Sequence, residues 1–323
     1  MKVMGIFRPR AVISDVHGNM EAFEAVYADI QERGIKTVYS IGDMSGYGAD
    51  SGEVFRRHME LGIKSTYGNH EYALKTKYWI LDPSLAFGFS PLAASSIRAV
   101  KKEVENDRDI RNFIDSLPHT LEDRGALMAH VSFVDHADFS YMEMREYDEM
   151  VNDYDYLEEE LIEKGFDEIE IKRIISRIVK RSFYEENTTL IENNLRHLIR
   201  NGYAVGFTGH THSPIIYQSQ TLNGVNERYV VDFDVIEPVA RHSKQGVFHT
   251  HKSRKSCPAI VNVGSVGQPR DGNPNACYVI YTPGIRTYRV DFVRVKYDIE
   301  KAAERIANSD MPDCLGKRLR DGV

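Results

Sequence analysis

The amino-acid sequence predicts an α/β protein in which helices pack against a largely parallel sheet. Three observations carry that prediction. The first third alternates apolar, strand-like runs with segments of helical periodicity. Polar clusters rich in Asp, Asn and His stand directly behind those runs, where open α/β sheets gather their ligands. The last third is β-rich, with Gly, Pro and Asn punctuating short apolar segments.

Residues 11–14 read as a buried strand. Met20, Phe23, Val26, Tyr27 and Ile30 then recur at helical spacing. A second strand covers 37–41, a helix lies near 51–61, and a third strand covers 63–67. The pattern is helical from about 94 to 116 and returns to strand at 126–129, before His130. Residues from about 140 to 201 read as a helical insertion between two strands of one sheet. Its apolar stripes, Ile171, Ile174, Ile178 and Phe183, then Leu190, Leu195, Leu198 and Ile199, are packing surfaces by their spacing. After a strand at 203–207, further strands are predicted at 215–218, 228–235, 259–263, 278–281 and 288–295. Helices near 298–308 and 312–319 close the chain. No repeat or flexible linker breaks it, so residues 1–323 are expected to form a single domain carrying the 140–201 insertion.

Composition narrows the functional classes. Hydrophobic content of 42% and charged content of 28% fit a soluble globular protein, and no apolar run approaches a membrane span. The apolar part of the first eight residues is too short for a secretory signal. Cys257, Cys277 and Cys314 are odd in number and scattered, which points to a reduced, cytoplasmic setting. Residues 143–170 hold thirteen acids against Arg145 and Lys164, outweighing the chain's net charge of −7. Such a block disfavours nucleic acid as a partner and is expected to point outward as a solvated helix face.

The clusters are Asp15-Val16-His17, Gly42-Asp43, Gly68-Asn69-His70-Glu71, His130 and Gly209-His210-Thr211-His212. Taken singly, each has an ordinary explanation: Asp15 or Asn19 caps a helix, and a lone His130 is an interior histidine. His249-Thr250-His251 shows how cheap a His-Thr-His pattern is; with no partner cluster it reads as a surface pair. Together the five clusters offer oxygen and imidazole donors enough for two divalent cations, with one histidine left over. That donor mixture suits Mn, Fe, Zn or Ni and not Ca. Asp43, behind a glycine that allows close backbone approach, is placed to bridge two ions.

In this order the clusters resemble the calcineurin-like metallophosphoesterase superfamily, and its bacterial and archaeal phosphodiesterase-like branch most. The run from Gly42 to Gly48, residues 262–272 (Asn-Val-Gly-Ser-Val-Gly-Gln-Pro-Arg-Asp-Gly) and Arg318-Leu319-x-x-Gly322 carry the branch resemblance. The resemblance implies a four-layer α/β/β/α sandwich with two metal ions at one edge. One ion would take Asp15, His17, Asp43 and His212. The other would take Asp43, Asn69, His130 and His210, leaving His70 as the proton donor and Glu71 as a partner orienting a histidine. Hydroxide generated at the metals would attack phosphorus while His70 protonates the departing alkoxide.

The substrate expected is a small phosphorylated molecule: a phosphodiester, phosphomonoester or nucleotide. Arg270 is the candidate phosphate-docking group, since a guanidinium matches phosphate in bidentate fashion, and Asn262 is a second pocket candidate. A salt bridge from Arg270 to Asp271 is the competing assignment. Protein phosphatases of the superfamily carry Asp and Arg shortly after Gly-Asp; this chain has Met44-Ser45-Gly46-Tyr47, which argues against phosphoproteins. A dinucleoside polyphosphate hydrolase or a protein phosphatase stays open, as does a metal-binding scaffold without turnover, though the intact ligand set opposes the last. The insertion is expected either to narrow the cleft or to build a homo-oligomer contact.

Overall fold

A computed structural model describes residues 7–75, 91–135, 188–220, 233–238 and 245–323 of the 323-residue chain. Most of the expected insertion, including the acidic block and the Ile171–Phe183 stripe, lies outside the described residues, as do 228–232.

The chain runs β1 (Arg10–Ile13), α1 (Met20–Glu32), β2 (Thr37–Ile41), α2 (Ser51–Leu61), β3 (Lys64–Thr66) and α3 (Asn69–Lys75). Then come α4 (Pro91–Val104), α5 (Arg108–Ser116), β4 (Thr120–Asp123), β5 (Ala126–Ala129) and a helix described over 188–201, α6. The remainder is β6 (Val205–Thr208), β7 (Ile215–Ser219), β8 (Phe233–Ile236), β9 (Gly246–Arg254), β10 (Ala259–Asn262), β11 (Ala276–Pro283) and β12 (Thr287–Val295), closed by α7 (Ile299–Ala307) and α8 (Cys314–Asp321).

Two six-stranded sheets result, ordered β3-β2-β1-β11-β12-β9 and β4-β5-β6-β10-β7-β8. β1, β2 and β3 are mutually parallel, and so are β5, β6 and β10; the other pairings are antiparallel. Both sheets are therefore mixed, where the first third alone predicted a parallel one.

The period of two along the strands builds the layers. In β10, Ala259 and Val261 face the other sheet while Ile260 faces α6; in β1, Val12 faces the other sheet while Ala11 and Ile13 face the helices. Phe23, Phe55, Ile110, Ile306 and Leu315 join Tyr278 and Val293 in the core between helices and first sheet. Tyr39, Phe207, Tyr281 and Phe292 fill the space between the sheets. Leu195 and Leu198 of α6 pack on Leu127 and Tyr217, so the Leu190–Ile199 stripe is a packing face. Helices, sheet, sheet and helix make the α/β/β/α order.

Several elements differ from the sequence reading. The helical stretch at 94–116 is two helices, because Asp107 caps α5 by accepting from Asp109 N and Ile110 N. β4 and β9 went unpredicted, and β8 matches the described part of the strand predicted at 228–235. β9 carries His249 and His251 half-buried instead of as a surface pair: His251 Nε2 lies 2.9 Å from Gln218 Oε1, and His249 packs on Phe292. No described helix is long and apolar enough to cross a membrane.

Candidate metal centre

All five clusters converge where the parallel strands of both sheets end. Hydrogen bonds continue past the strands and tie these loops to one another. Asp15 N donates to Gly42 O (3.1 Å), His17 N to Asp43 O (3.0 Å) and Gly18 N to Met44 O (2.8 Å). Val266 N and Gly267 N donate to Ser14 O and Asp15 O, tying the loop after β10 to the loop after β1. Asn19 caps α1 through Ala22 N and donates to Gly267 O, so capping falls to Asn19 and leaves Asp15 for the site.

This construction demands unusual backbone. Among the described residues seven non-glycines have positive φ, and five of them are Asp15, His17, Asp43, His210 and His212. Each left-handed residue of this kind costs about 1–3 kcal/mol, and such strain collects at sites where side chains must be aimed. Gly42 is required in the literal sense: a Cβ there would lie 2.6 Å from Gly68 N and 2.8 Å from His130 Nδ1.

The side chains form groups able to hold an ion. Asp15, His17 and His212 make one, Asp43, His130 and His210 another, with donor atoms within 4.8 Å of one another in each. His212 Nε2 is 3.2 Å from Asp15 Oδ1, and His130 Nε2 is 3.2 Å from Asp43 Oδ2 and 3.1 Å from Asn69 Oδ1. Asp43 Oδ2 also lies 3.7 Å from His17 Nε2, so one carboxylate oxygen faces both groups. Its other oxygen accepts from His70 N (3.0 Å). His70, expected to stay uncoordinated, makes a third group with His17 and Asp43, its donor atoms within the same 4.8 Å span.

Protonation tests whether a cation fits. His17 Nδ1 contacts Ser45 O at 2.8 Å and His212 Nδ1 contacts Gln268 O at 2.6 Å. A carbonyl oxygen only accepts, so each Nδ1 carries the proton and each Nε2 presents a lone pair. Those two Nε2 atoms are 3.0 Å apart. Burial holds both rings well below the usual histidine pKa, reinforced for His17 by His212 and for His212 by Arg270. Two facing lone pairs beside Asp15 suit a divalent ion, as does the buried His130–Asp43–Asn69 set. Burial pushes His210 down to about 3, keeping it neutral and available as a donor.

Two expectations are corrected. Glu71 orients no histidine directly. Its buried carboxylate accepts from Asp43 N (2.8 Å), Gly68 N (3.0 Å), Ser45 N (3.0 Å) and Ser45 Oγ (2.8 Å), pinning the loops that carry Asp43 and Asn69. Asn262 spends its amide within the protein: Nδ2 donates to Gly209 O (2.5 Å) and Thr211 Oγ1 (2.9 Å), and Oδ1 accepts from Gly264 N (3.0 Å). It braces the His210 loop, where a pocket residue was expected.

Arg270 stands beside the centre, its Nη2 3.3 Å from Gln268 Oε1 and its Cζ 5.8 Å from the centre of the Tyr47 ring. Asp271 pairs instead with the buried Arg294, so the competing Arg270–Asp271 bridge is not formed. The sequence reading missed Ser45 and Gln268, whose main-chain carbonyls fix two histidine tautomers and leave no residue signature. Tyr47 was also missed; its ring lies 4.6 Å from His17 and 5.0 Å from His70.

Comparison with known proteins agrees with this arrangement. Residues 9–214 match the family described as calcineurin-like phosphoesterase. An uncharacterized protein of Methanocaldococcus jannaschii is 29% identical over 309 residues, covering 96% of each chain. A crystal structure of a metallophosphoesterase from Sphaerobacter thermophilus superposes with a TM-score of 0.57 at 23% identity, covering 98% of this chain and 100% of that one.

Proposed function

The chain belongs to the calcineurin-like phosphoesterase family, whose members are metal-dependent phosphoesterases, and we propose that it hydrolyses a small phosphodiester or phosphomonoester at a dinuclear centre. The observation that carries the two-ion reading is Asp43 Oδ2, which faces His130 Nε2 at 3.2 Å and His17 Nε2 at 3.7 Å from opposite donor groups.

In this reading Asp15, His17, Asp43 and His212 hold one ion and Asp43, Asn69, His130 and His210 the other. Bound divalent ions supply Lewis acidity, offsetting charge on the phosphoryl oxygens and lowering the pKa of water. Both sets reach four protein donors without His70, which leaves that ring to give a proton to the leaving oxygen, a contribution of about 10²–10⁴-fold. Arg270 docks the phosphoryl group: its positive charge adds to the desolvation that lowers the pKa of His70, so it lies in the field the substrate would enter. Tyr47 in place of a second cation favours a small phosphoester over a phosphoprotein.

The test is reconstitution with Mn, Ni, Fe or Zn, followed by a panel of phosphoesters. We expect hydrolysis of small esters and two ions per chain, with His70→Asn retaining both ions but losing turnover on poor leaving groups. Bound metal with no hydrolysis of any ester would replace this reading with a scaffold. One ion per chain would remove the bridging role of Asp43.

A further inference from the structure

We infer that Tyr47 is a positioning residue that sets the His70 imidazole and the Arg270 guanidinium in one fixed arrangement beside the metal centre. The inference rests on the roles proposed above for His70 and Arg270. Three segments distant in sequence meet on this ring: the start of α3 through His70, the loop after β1 through His17, and the loop after β10 through Arg270. The ring centres lie 5.0 Å from His70 and 4.6 Å from His17, and the guanidinium carbon is 5.8 Å from the ring centre. That range permits a cation–π attraction, and the ring edges give each imidazole a wall.

The loop is built to hold the ring there. Tyr47 has φ of 60°, a conformation that a tyrosine keeps only where its neighbours enforce it. They do: Gly46 N donates to Ser51 Oγ (3.0 Å), and Gly48 N donates to His17 O (2.8 Å). Gly46, at φ of 87°, leaves room for the imidazole edge, since a Cβ at that position would fall on His70 Nδ1. Gly46 thus admits one edge of His70 while Tyr47 packs beside it. With 9% of its surface exposed, Tyr47 offers no stacking platform to a substrate and acts through the groups it touches.

The experiment compares metal-reconstituted Tyr47→Leu, Tyr47→Phe, His70→Asn and the Leu/Asn double variant on two esters. One is an alkyl phosphodiester with a poor leaving group; the other is bis-p-nitrophenyl phosphate with a good one. We expect Tyr47→Leu to lower kcat about 100-fold on the alkyl ester and about 10-fold less on the nitrophenyl ester, as loss of a placed acid should. KM should rise on both through Arg270, and metal content should not change. Tyr47→Phe, which keeps the ring, should restore most of the loss, and the double variant should be no slower than His70→Asn. The His70 imidazole NMR signals, assigned by their absence in His70→Asn, should move in Tyr47→Leu and stay in Tyr47→Phe. Equal loss on both esters with unmoved His70 signals would overturn the inference, as would parental kinetics in Tyr47→Leu. If His70→Asn itself fails to discriminate the esters, the proton-donor role falls. Tyr47 is then judged on the imidazole signals and KM alone, and unmoved values of both overturn it.

Discussion

His17 Nε2 lies 3.0 Å from His212 Nε2, and both rings have committed their Nδ1 protons to main-chain carbonyls. Without a cation these lone pairs repel in a buried space. Divalent ions should therefore stabilise the fold: an ion at a hundredfold excess over its Kd adds about 2.7 kcal/mol. Thermal unfolding in chelator and in excess Mn or Zn measures this, with Tm expected several degrees higher in metal. A Tm indifferent to chelator would show that the two nitrogens do not share an ion.

The second donor group predicts a proton exchange. Burial opposes a charge on His130, but the Asp43 carboxylate, its hydrogen bond and Asp15 outweigh burial and push the pKa up to about 9. In the metal-free protein this ring is cationic at neutral pH. A folded pKa above the ordinary 6.5 contributes stability that is complete below about 6.5 and is lost as pH rises through about 9. An ion needs the same Nε2 lone pair, so it must displace that proton. Metal affinity should rise with pH until about 9, with close to one proton released per chain at neutral pH. Titration calorimetry in buffers of different ionisation enthalpy measures the release. A pH-independent affinity would remove His130 from the ligand set.

Glu71→Gln should damage the centre without touching a proposed ligand. Both carboxylate oxygens of Glu71 face only donors, three main-chain N–H groups and the Ser45 hydroxyl. An amide NH₂ in place of either oxygen confronts those donors, at a cost of about 1–3 kcal/mol. The Ser45 carbonyl that orients His17 shifts with the loop. The expected outcome is lower Tm and metal lost on dialysis. A variant that binds metal like the parent would mean that other contacts suffice to hold the loop.

Much of this was legible in the residues, and the gaps have physical causes. The ordered clusters put seven candidate donors at strand ends, where the structure has them, because strand ends are marked by where apolar runs stop. Residues acting through their backbone were invisible: any side chain at 45 or 268 still presents a carbonyl. Glu71 was assigned to a histidine because a carboxylate next to His70 invites that pairing, yet the positive φ of Asp43 turns main-chain N–H groups toward it instead. β9 escaped notice because it is an edge strand in which His, Thr, Lys, Ser and Arg follow only two apolar residues, Val247 and Phe248, and it is held largely by pairing with β12. Asn262 looked like a pocket residue from its place at the end of a strand, and only the fold shows the loop carbonyl that occupies its amide.

Acid sensitivity should also arise away from the metal centre, at His58 in α2. This side chain is fully buried, donates Nδ1–H to Val54 O (2.8 Å) and stacks on Phe23 with ring centres 4.8 Å apart. Burial pushes its pKa down to about 4, against a weaker opposing effect of the Val54 carbonyl. The unfolded ring takes a proton near pH 6.5 that the folded ring refuses until about 4. Its contribution is thus complete above about 6.5 and is lost as pH falls through about 4, up to about 3 kcal/mol. His58→Phe retains an aromatic ring against Phe23 and cannot titrate; His58→Leu serves if Phe overpacks the site. Urea unfolding of the metal-free proteins at pH 7.5 and 5 should show a smaller loss in the variant than in the parent. Equal losses would mean that the His58 pocket admits water on protonation and that the acid response comes from the metal-site histidines alone.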